Sequence, residues 1–437
     1  MTSTSNIFPT DQHGWAEFLP ERVACQPLSG SQRVPWVVIG AGFTGLACAR
    51  RLGELHPDEK ILLLDARLVG QGASGRNSGF AVAVSRLSGR NTPDQIEDYR
   101  RINRINQAGL ELLRAQVSEN AIDCEWCEEG FYHTAADRSA SKEYKHFLHY
   151  LETLEIDHRP LDRTALSDQL GTDLYQFGIH VTAGALLQPA ALVRGLADSL
   201  PANVRLYEQN PVLGIDDSKP LTLRLATGEV KTDKLILAMN YEASTLGFLS
   251  SYIVGSTLSG SFTRVLNKQE LASLGSETEW GVLSLHSGGA TLRLTRDHRL
   301  CIRNTAEYHG SNLLSEQKLA QRQAIHRAAF DKRFPQLAQV PFEYSWSGVE
   351  GISRNSTNYF GRQRDNIYLA GGYNGSGVSR GTVFGAAIAD YASGETSTTI
   401  SDCLGSPPGA WIPRGPLRNI GAFFTVRSRF RGVGLDR

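Results

Sequence analysis

Apolar positions along this chain follow two periods. Residues 34–39 (VPWVVI) form a continuous run, as in a strand buried on both faces, and residues 46–52 follow with a helical pattern. A second run, residues 61–64 (ILLL), repeats the strand signal. From Pro93 to Val117 the period lengthens: Ile96, Tyr99, Ile102, Ile105, Leu110 and Leu113 recur at helical steps with charges between them. A strand-like piece at 130–134 and a helix over 139–154 complete what reads as an insertion. Residues 188–197 predict a helix with proline near its start, 204–208 a strand, and 221–225 with 231–239 two strands about the turn Thr227-Gly228. Between 252 and 344 the pattern becomes alternating, at 261–265, 281–285 and 290–295, as in a half-exposed antiparallel sheet. Residues 300–303 follow a turn at Asp297-His298, and a helix covers about 314–330. Residues 366–372 and 378–391 predict a last strand and helix.

Between the first two apolar runs stand Gly40, Gly42 and Gly45 in G-x-G-x-x-G spacing, and Asp65 ends the second run about twenty residues later. This is a dinucleotide fingerprint with its strand, helix and acid in place. Gly40 permits the tight turn, Gly42 lets backbone approach a pyrophosphate, and Gly45 lets helix and strand pack closely. The N–H groups at the helix start face the negative charge, and Asp65 accepts from a ribose diol.

The glycine-rich stretch GASGRNSG (residues 72–79) follows the second strand directly. With VVIGAGFTGLACA (37–49) and YLAGGYNGSGVSRGTVFGAAIA (368–389) it resembles the D-amino-acid-oxidase-like flavoproteins, a family that includes glycine, sarcosine and γ-glutamylputrescine oxidases. The γ-glutamylputrescine oxidase branch is the closest match, and the resemblance spans most of the chain. It implies an α/β (α+β two-domain) flavoprotein. A Rossmann-like FAD-binding domain would be assembled from residues 34–90, 170–245 and 346–395. An antiparallel-sheet substrate domain would comprise 91–169 and 246–345, with an arm at 1–33 anchored by Trp15 and Phe18, and a basic tail at 396–437. The implied FAD contacts are Gly40, Gly42, Phe43, Thr44, Gly45, Asp65, Ala66, Ser74, Arg76, Asn77, Ser78, Val212, Gly372, Asn374, Gly375, Ser376 and Gly377. No His occurs in GASGRNSG, so dissociable FAD is expected.

Composition restricts the partners. Of 437 residues, 41% are hydrophobic and 21% charged, as in globular proteins. Lys+Arg and Asp+Glu both total 45, so no global basic field attracts nucleic acid. Neither a signal peptide nor a membrane-spanning run is read. Six irregularly spaced cysteines suggest reduced thiols in a cytoplasm, and Cys124-x-x-Cys127 lacks a second ligand pair for a metal. The tail from Leu404 carries six arginines against Asp436, with Phe423, Phe424 and Phe430 among them. Its two readings are a peripheral membrane contact and a segment packed across its own domain.

The chemistry expected is oxidation of an amine or amino acid by hydride transfer to flavin, with oxygen or a quinone accepting the electrons. Tyr373 and Trp346 are the aromatics placed to flank a bound amine, or else to pack as core. Arg293 and Arg303, on sheet-like strands, are candidates for pairing with a carboxylate; a surface strand arginine is the alternative for each. His286 and His298 read as turn residues. A 2-hydroxy-acid oxidase would want a His base above the flavin, a non-catalytic flavin module would not be reduced by amines, and a nicotinamide-only dehydrogenase fits the downstream motifs least.

Overall fold

The computed structural model describes residues 6–8, 12–25, 27–85 and 93–437. Its first sheet has a parallel centre in the order Ile367–Gly371, Gly228–Leu237, Gly30–Ile39, Ile61–Leu64, Val204–Tyr207. Strands Leu221–Arg224 and Gly214–Asp216 extend it antiparallel beside the first half of Gly228–Leu237, and Tyr359–Arg364 flanks Ile367–Gly371. Both faces are dry. Helices Phe43–Leu55, Pro189–Asp198 and Gly377–Ser393 share a core with Val38, Leu63, Leu52, Val193 and Ile388 on one side. Val37, Leu62, Leu64, Leu223 and Leu237 pack on the other. Two-sided burial is why these strands read as unbroken apolar runs.

The second sheet has nine strands among the described residues, ordered Asn6–Phe8, Phe342–Ser353, Ile253–Thr263, Leu300–Glu307, Thr291–Leu294, Trp280–Ser284, Phe131–Ala135, Phe177–Val181, His158–Asp162. Helix Glu316–Arg333 covers its outer face through Leu319 and Phe330. The inner face meets the nucleotide-type unit along Trp346, Phe262 and Cys301.

Two segments pack elsewhere than the expected divisions. Helix Pro93–Glu119, read with the substrate domain, places Ile105, Leu110 and Leu113 in the core of the parallel sheet unit. It crosses Gly377–Ser393 at Gly109, where a Cβ would stand 2.6 Å from the Ser379 carbonyl carbon, so glycine sets the close approach. Strand Phe177–Val181, read with the nucleotide domain, pairs instead with Phe131–Ala135 and His158–Asp162.

The segment around Trp15 and the C-terminal residues are both tied in. Trp15 lies edge-on to Phe262 at 4.7 Å, and Phe18 lies 5.3 Å from the same ring. Gln188 Nε2 donates to the Trp15 carbonyl at 2.8 Å. At the other end Asp436 is buried: its carboxylate accepts from Ala136 N–H (2.8 Å), and its carbonyl accepts from Ala290 N–H (2.7 Å) and Arg333 (2.8 Å). The tail thus closes across its own substrate sheet, while helix Pro416–Arg429 leaves Leu417, Ile420, Phe423 and Phe424 exposed. Among the described residues no helix is long and apolar enough to cross a membrane.

Candidate active site

The first loop is built as its glycines dictate. Gly40 sits at φ +101, a conformation L side chains avoid, and its N–H donates to the Leu64 carbonyl at 2.8 Å. Gly42 caps helix Phe43–Leu55 and brings no side chain of its own to the positive end of the helix dipole. A Cβ at Gly42 would stand 2.7 Å from Ser74 Oγ, which also accepts from Phe43 N–H at 3.1 Å. Phe43 and Thr44 turn their side chains inward, leaving only backbone for a phosphate. At the strand end both Asp65 oxygens accept N–H groups, from Ala41 at 2.6 Å and Arg67 at 2.8 Å. Asn210 N–H donates to the Asp65 carbonyl at 2.7 Å, which lays the Val212 segment beside the acid; Ala66 is exposed next to it. This cradle, with backbone N–H groups and the Ser74 hydroxyl at the helix start and an acid at the strand end, fits a dinucleotide.

Burial pushes the Asp65 carboxyl up to about 6, against the hydrogen bonds from Arg67 and Ala41. Two consequences of opposite sign follow. Without ligand, the raised value makes this group favour folding below its ordinary 3.8 and withdraw that contribution as pH rises through about 6. Dinucleotide binding wants the charged acceptor, so FAD affinity of the apoprotein is expected to weaken as pH falls from 7 to 5. Titrations of flavin fluorescence should show that step in the wild type and none in Asp65→Asn.

The second loop, residues 70–79, is clamped from three directions. Asn77 Nδ2 donates to the Ser74 carbonyl at 2.7 Å and its Oδ1 accepts from Gly79 N–H at 2.9 Å. His13 bonds the Gly70 carbonyl at 3.0 Å, and Trp15 Nε1 donates to the Asn77 carbonyl at 2.7 Å. Arg76 is buried rather than solvated. It donates to the carbonyls of Gln71 (2.6 Å) and Ser347 (3.0 Å), bolting the loop to strand Phe342–Ser353. Ser78 lies half-buried at its end.

The third loop connects Ile367–Gly371 to helix Gly377–Ser393. Gly372 (φ +77) donates to Asn240 Oδ1 at 3.0 Å. Asn374 (φ +51) accepts from Ser353 N–H at 2.9 Å and donates back to the Gly372 carbonyl at 2.7 Å. Ser376 caps the helix without a side-chain bond. Gly375 faces the substrate sheet: a Cβ there would stand 3.5 Å from Glu350 Oε2. Arg380 is buried in the first helical turn, donating to Asn106 Oδ1 (3.0 Å) and Ser85 Oγ (2.8 Å). Burial lowers it to about 10, so it stays charged at neutral pH. A helix N-terminus and a buried guanidinium therefore make this end of the site positive.

The candidates for substrate contact separate into two groups. Tyr373 is turned into the core, edge-on to Phe384, its hydroxyl accepting from Thr44 at 2.8 Å. Trp346 stacks on Phe262 at 4.9 Å and donates to the Arg76 carbonyl at 3.2 Å. Both serve as packing that holds the loops. Arg293 is 1% exposed and neither a surface arginine nor a free one. It bonds the carbonyls of Leu187 and Gly79 and pairs with Glu279 at 3.3 Å. Arg303 differs: among the described residues its guanidinium has one hydrogen bond, to Thr291 Oγ1 at 2.6 Å, and lies in the field of Glu350 and Arg429. Burial lowers its pKa, with Glu350 opposing. Glu350 itself, with Arg429 at 3.9 Å, escaped the sequence reading. The signal was present, since Trp346, Gly348 and Glu350 alternate onto one strand face. His286 and His298 lie in turns, and buried His326 bonds Ser261 at 2.8 Å on the outer face. No His/Cys/Asp/Glu group able to hold a metal occurs among the described residues.

Comparisons with known proteins agree with this geometry. The DAO family profile, described as FAD dependent oxidoreductase, matches residues 35–391. The γ-glutamylputrescine oxidoreductase of Escherichia coli is 25% identical, with 98% of each chain covered. A probable oxidoreductase, OrdL, of Haemophilus influenzae is also 25% identical, covering 84% of this chain and 85% of its own. Among solved structures, glycine oxidase from Geobacillus kaustophilus superposes with a TM-score of 0.72 at 18% identity, covering 84% of this chain and 96% of that one. An L-amino acid deaminase from Proteus myxofaciens gives 0.67 at 14% identity, over 86% and 93%. At those identities the structures establish the two-domain fold.

Proposed function

The chain belongs to the DAO family of FAD-dependent oxidoreductases, and from that premise we propose that it oxidises the C–N bond of an amine or amino acid. The observation that carries this reading is Glu350. Its carboxylate stands beside the third loop, 3.5 Å from where a Cβ on Gly375 would lie, and supplies the negative charge that an ammonium group pairs with. The relatives named for γ-glutamylputrescine and for glycine act on substrates with that group. FAD, when bound, supplies the hydride acceptor at N5. The chain's own residues do the rest. Glu350 orients the nitrogen, and Arg303 holds an anionic or polar end of the substrate. The ammonium gives its extra proton to the Glu350 carboxylate or to water before the C–H bond breaks, so the reacting nitrogen is neutral. With FAD bound, the N-terminus of Gly377–Ser393 and the buried Arg380 would supply the positive potential at this end of the site. The imine leaves and hydrolyses in water, and electrons pass to oxygen or a quinone.

The test is the visible spectrum of the purified protein under anaerobic titration with primary amines, secondary amines and amino acids. Bleaching of the oxidised flavin bands by one amine class is the expected result, with FAD released intact when the protein is denatured. Bleaching by 2-hydroxy acids alone would transfer the assignment to that reaction. A flavin that no substrate reduces would leave a binding module.

A further inference from the structure

One irregularity in the substrate sheet is aimed at the site. Strands Ile253–Thr263 and Leu300–Glu307 pair Ser259 with Thr305 and Ser261 with Ile302, so the single residue Gly260 faces two, Arg303 and Asn304. This is a β-bulge, a device that re-aims side chains and recurs next to active sites. The direction of the bulge is fixed by its neighbours. Ser261 hydrogen-bonds His326 on the outer face, whereas a Cβ at Gly260 would stand 3.5 Å from Trp346 on the inner face. The two bulged side chains share the Gly260 side, toward the flavin loop.

Asn304 is 2% exposed, and neither its carbonyl oxygen nor its NH2 group has a partner among the described residues. A buried carboxamide left wholly unpaired is rare and destabilising. Its neighbour Arg303 has one hydrogen bond and spare donors. A carboxamide offers an acceptor and a donor side by side, and another amide satisfies both at once.

We infer that the Arg303–Asn304 bulge is a specificity site for an amide carried by the substrate away from the C–N bond that is oxidised. This rests on the amine reading above, with Glu350 receiving the reacting end. An amine lacking the amide leaves Asn304 unpaired, so the site discriminates by the penalty it already carries.

The test compares N-acetylputrescine with n-heptylamine, a primary amine without the amide, by kcat/KM and by calorimetric binding to the FAD-loaded protein. The wild type should prefer the amide by about 10- to 100-fold, the effect of pairing a buried polar group. Asn304→Leu, close in shape and apolar, should abolish that preference while leaving n-heptylamine turnover unchanged and melting temperature equal or raised. Equal treatment of both amines by the wild type overturns the inference while leaving amine oxidation standing. So does an Asn304→Leu protein that melts lower and loses both substrates alike, which marks a structural, water-bonded amide. If no amine reduces the flavin, the amine reading fails, and the calorimetric preference still decides whether the amide site exists.

Discussion

Gly45→Ala is expected to purify without FAD and to melt below the wild type. A Cβ at this position would overlap the Gly40 carbonyl oxygen and stand 2.8 Å from its carbon, with Ala238 Cβ behind it at 3.4 Å. Neither neighbour can yield, because Gly40 is fixed by its bond to Leu64 and Ala238 by its bond to Ile39. Helix Phe43–Leu55 must therefore lift from the loop, and its N-terminus leaves the position where it meets a pyrophosphate. Overpacking of this kind costs about 1–3 kcal/mol in stability. Its effect on the cofactor is larger, since the phosphate contacts depend on helix position. The check is the ratio of flavin to protein absorbance, with a melting curve taken alongside. A yellow Gly45→Ala protein of unchanged stability would show that the loop does not hold the dinucleotide.

The second large effect lies outside the site. Glu208 is fully buried and accepts from Arg22 Nε (2.7 Å), Val69 N–H (2.6 Å) and Cys25 N–H (3.0 Å). It joins the N-terminal arm to the end of the parallel sheet. Removing one partner of a buried, multiply bonded pair costs up to about 3–5 kcal/mol, here because Arg22 would keep only the exposed Asp198 and the two N–H groups would lose a charged acceptor. Glu208→Gln should show a loss of that order in denaturant unfolding. Asp198→Asn is the control: Asp198 pairs with the same arginine at 3.0 Å but is 66% exposed, and should cost under about 1 kcal/mol. Burial raises the Glu208 pKa, but Arg22 and the two N–H groups outweigh it, so the net shift is downward. A depressed carboxyl contributes its stability above the unfolded value, near 4.3, and loses it as pH falls through the folded value. Acid unfolding should accordingly begin at higher pH in a protein whose Arg22 is replaced by Met. Equal acid midpoints would remove Glu208 from the account of acid stability.

These residues also mark how far the chain can be read before it folds. The dinucleotide loop was legible because its determinants are local: three glycines, one turn and an acid within a single βαβ unit. The same holds for the apolar runs of the parallel strands, whose two-sided burial is written into composition. Arg22 and Glu208 lie 186 positions apart, and nothing in either neighbourhood announces the other. Tyr373 and Trp346 were legible as residues near the site, but which way each ring turns depends on Thr44, Phe384, Phe262 and Arg76, contributed by distant segments. Arg293 and Arg303 look alike on alternating strands. The fold consumes the first on carbonyls and glutamates and leaves the second with spare donors.

By itself, then, the sequence determined the family, the glycine-loop conformation and the succession of parallel and antiparallel units, because short-range periodicity and backbone conformation encode them. Only the tertiary structure decided which candidate side chains are consumed in packing and which keep free polar groups. It set Glu350 opposite Gly375, turned Tyr373 and Trp346 into the core, and placed a bulge at Arg303–Asn304. Strand register and burial are properties of pairs remote along the chain, and a one-residue shift in pairing reverses which face a side chain occupies.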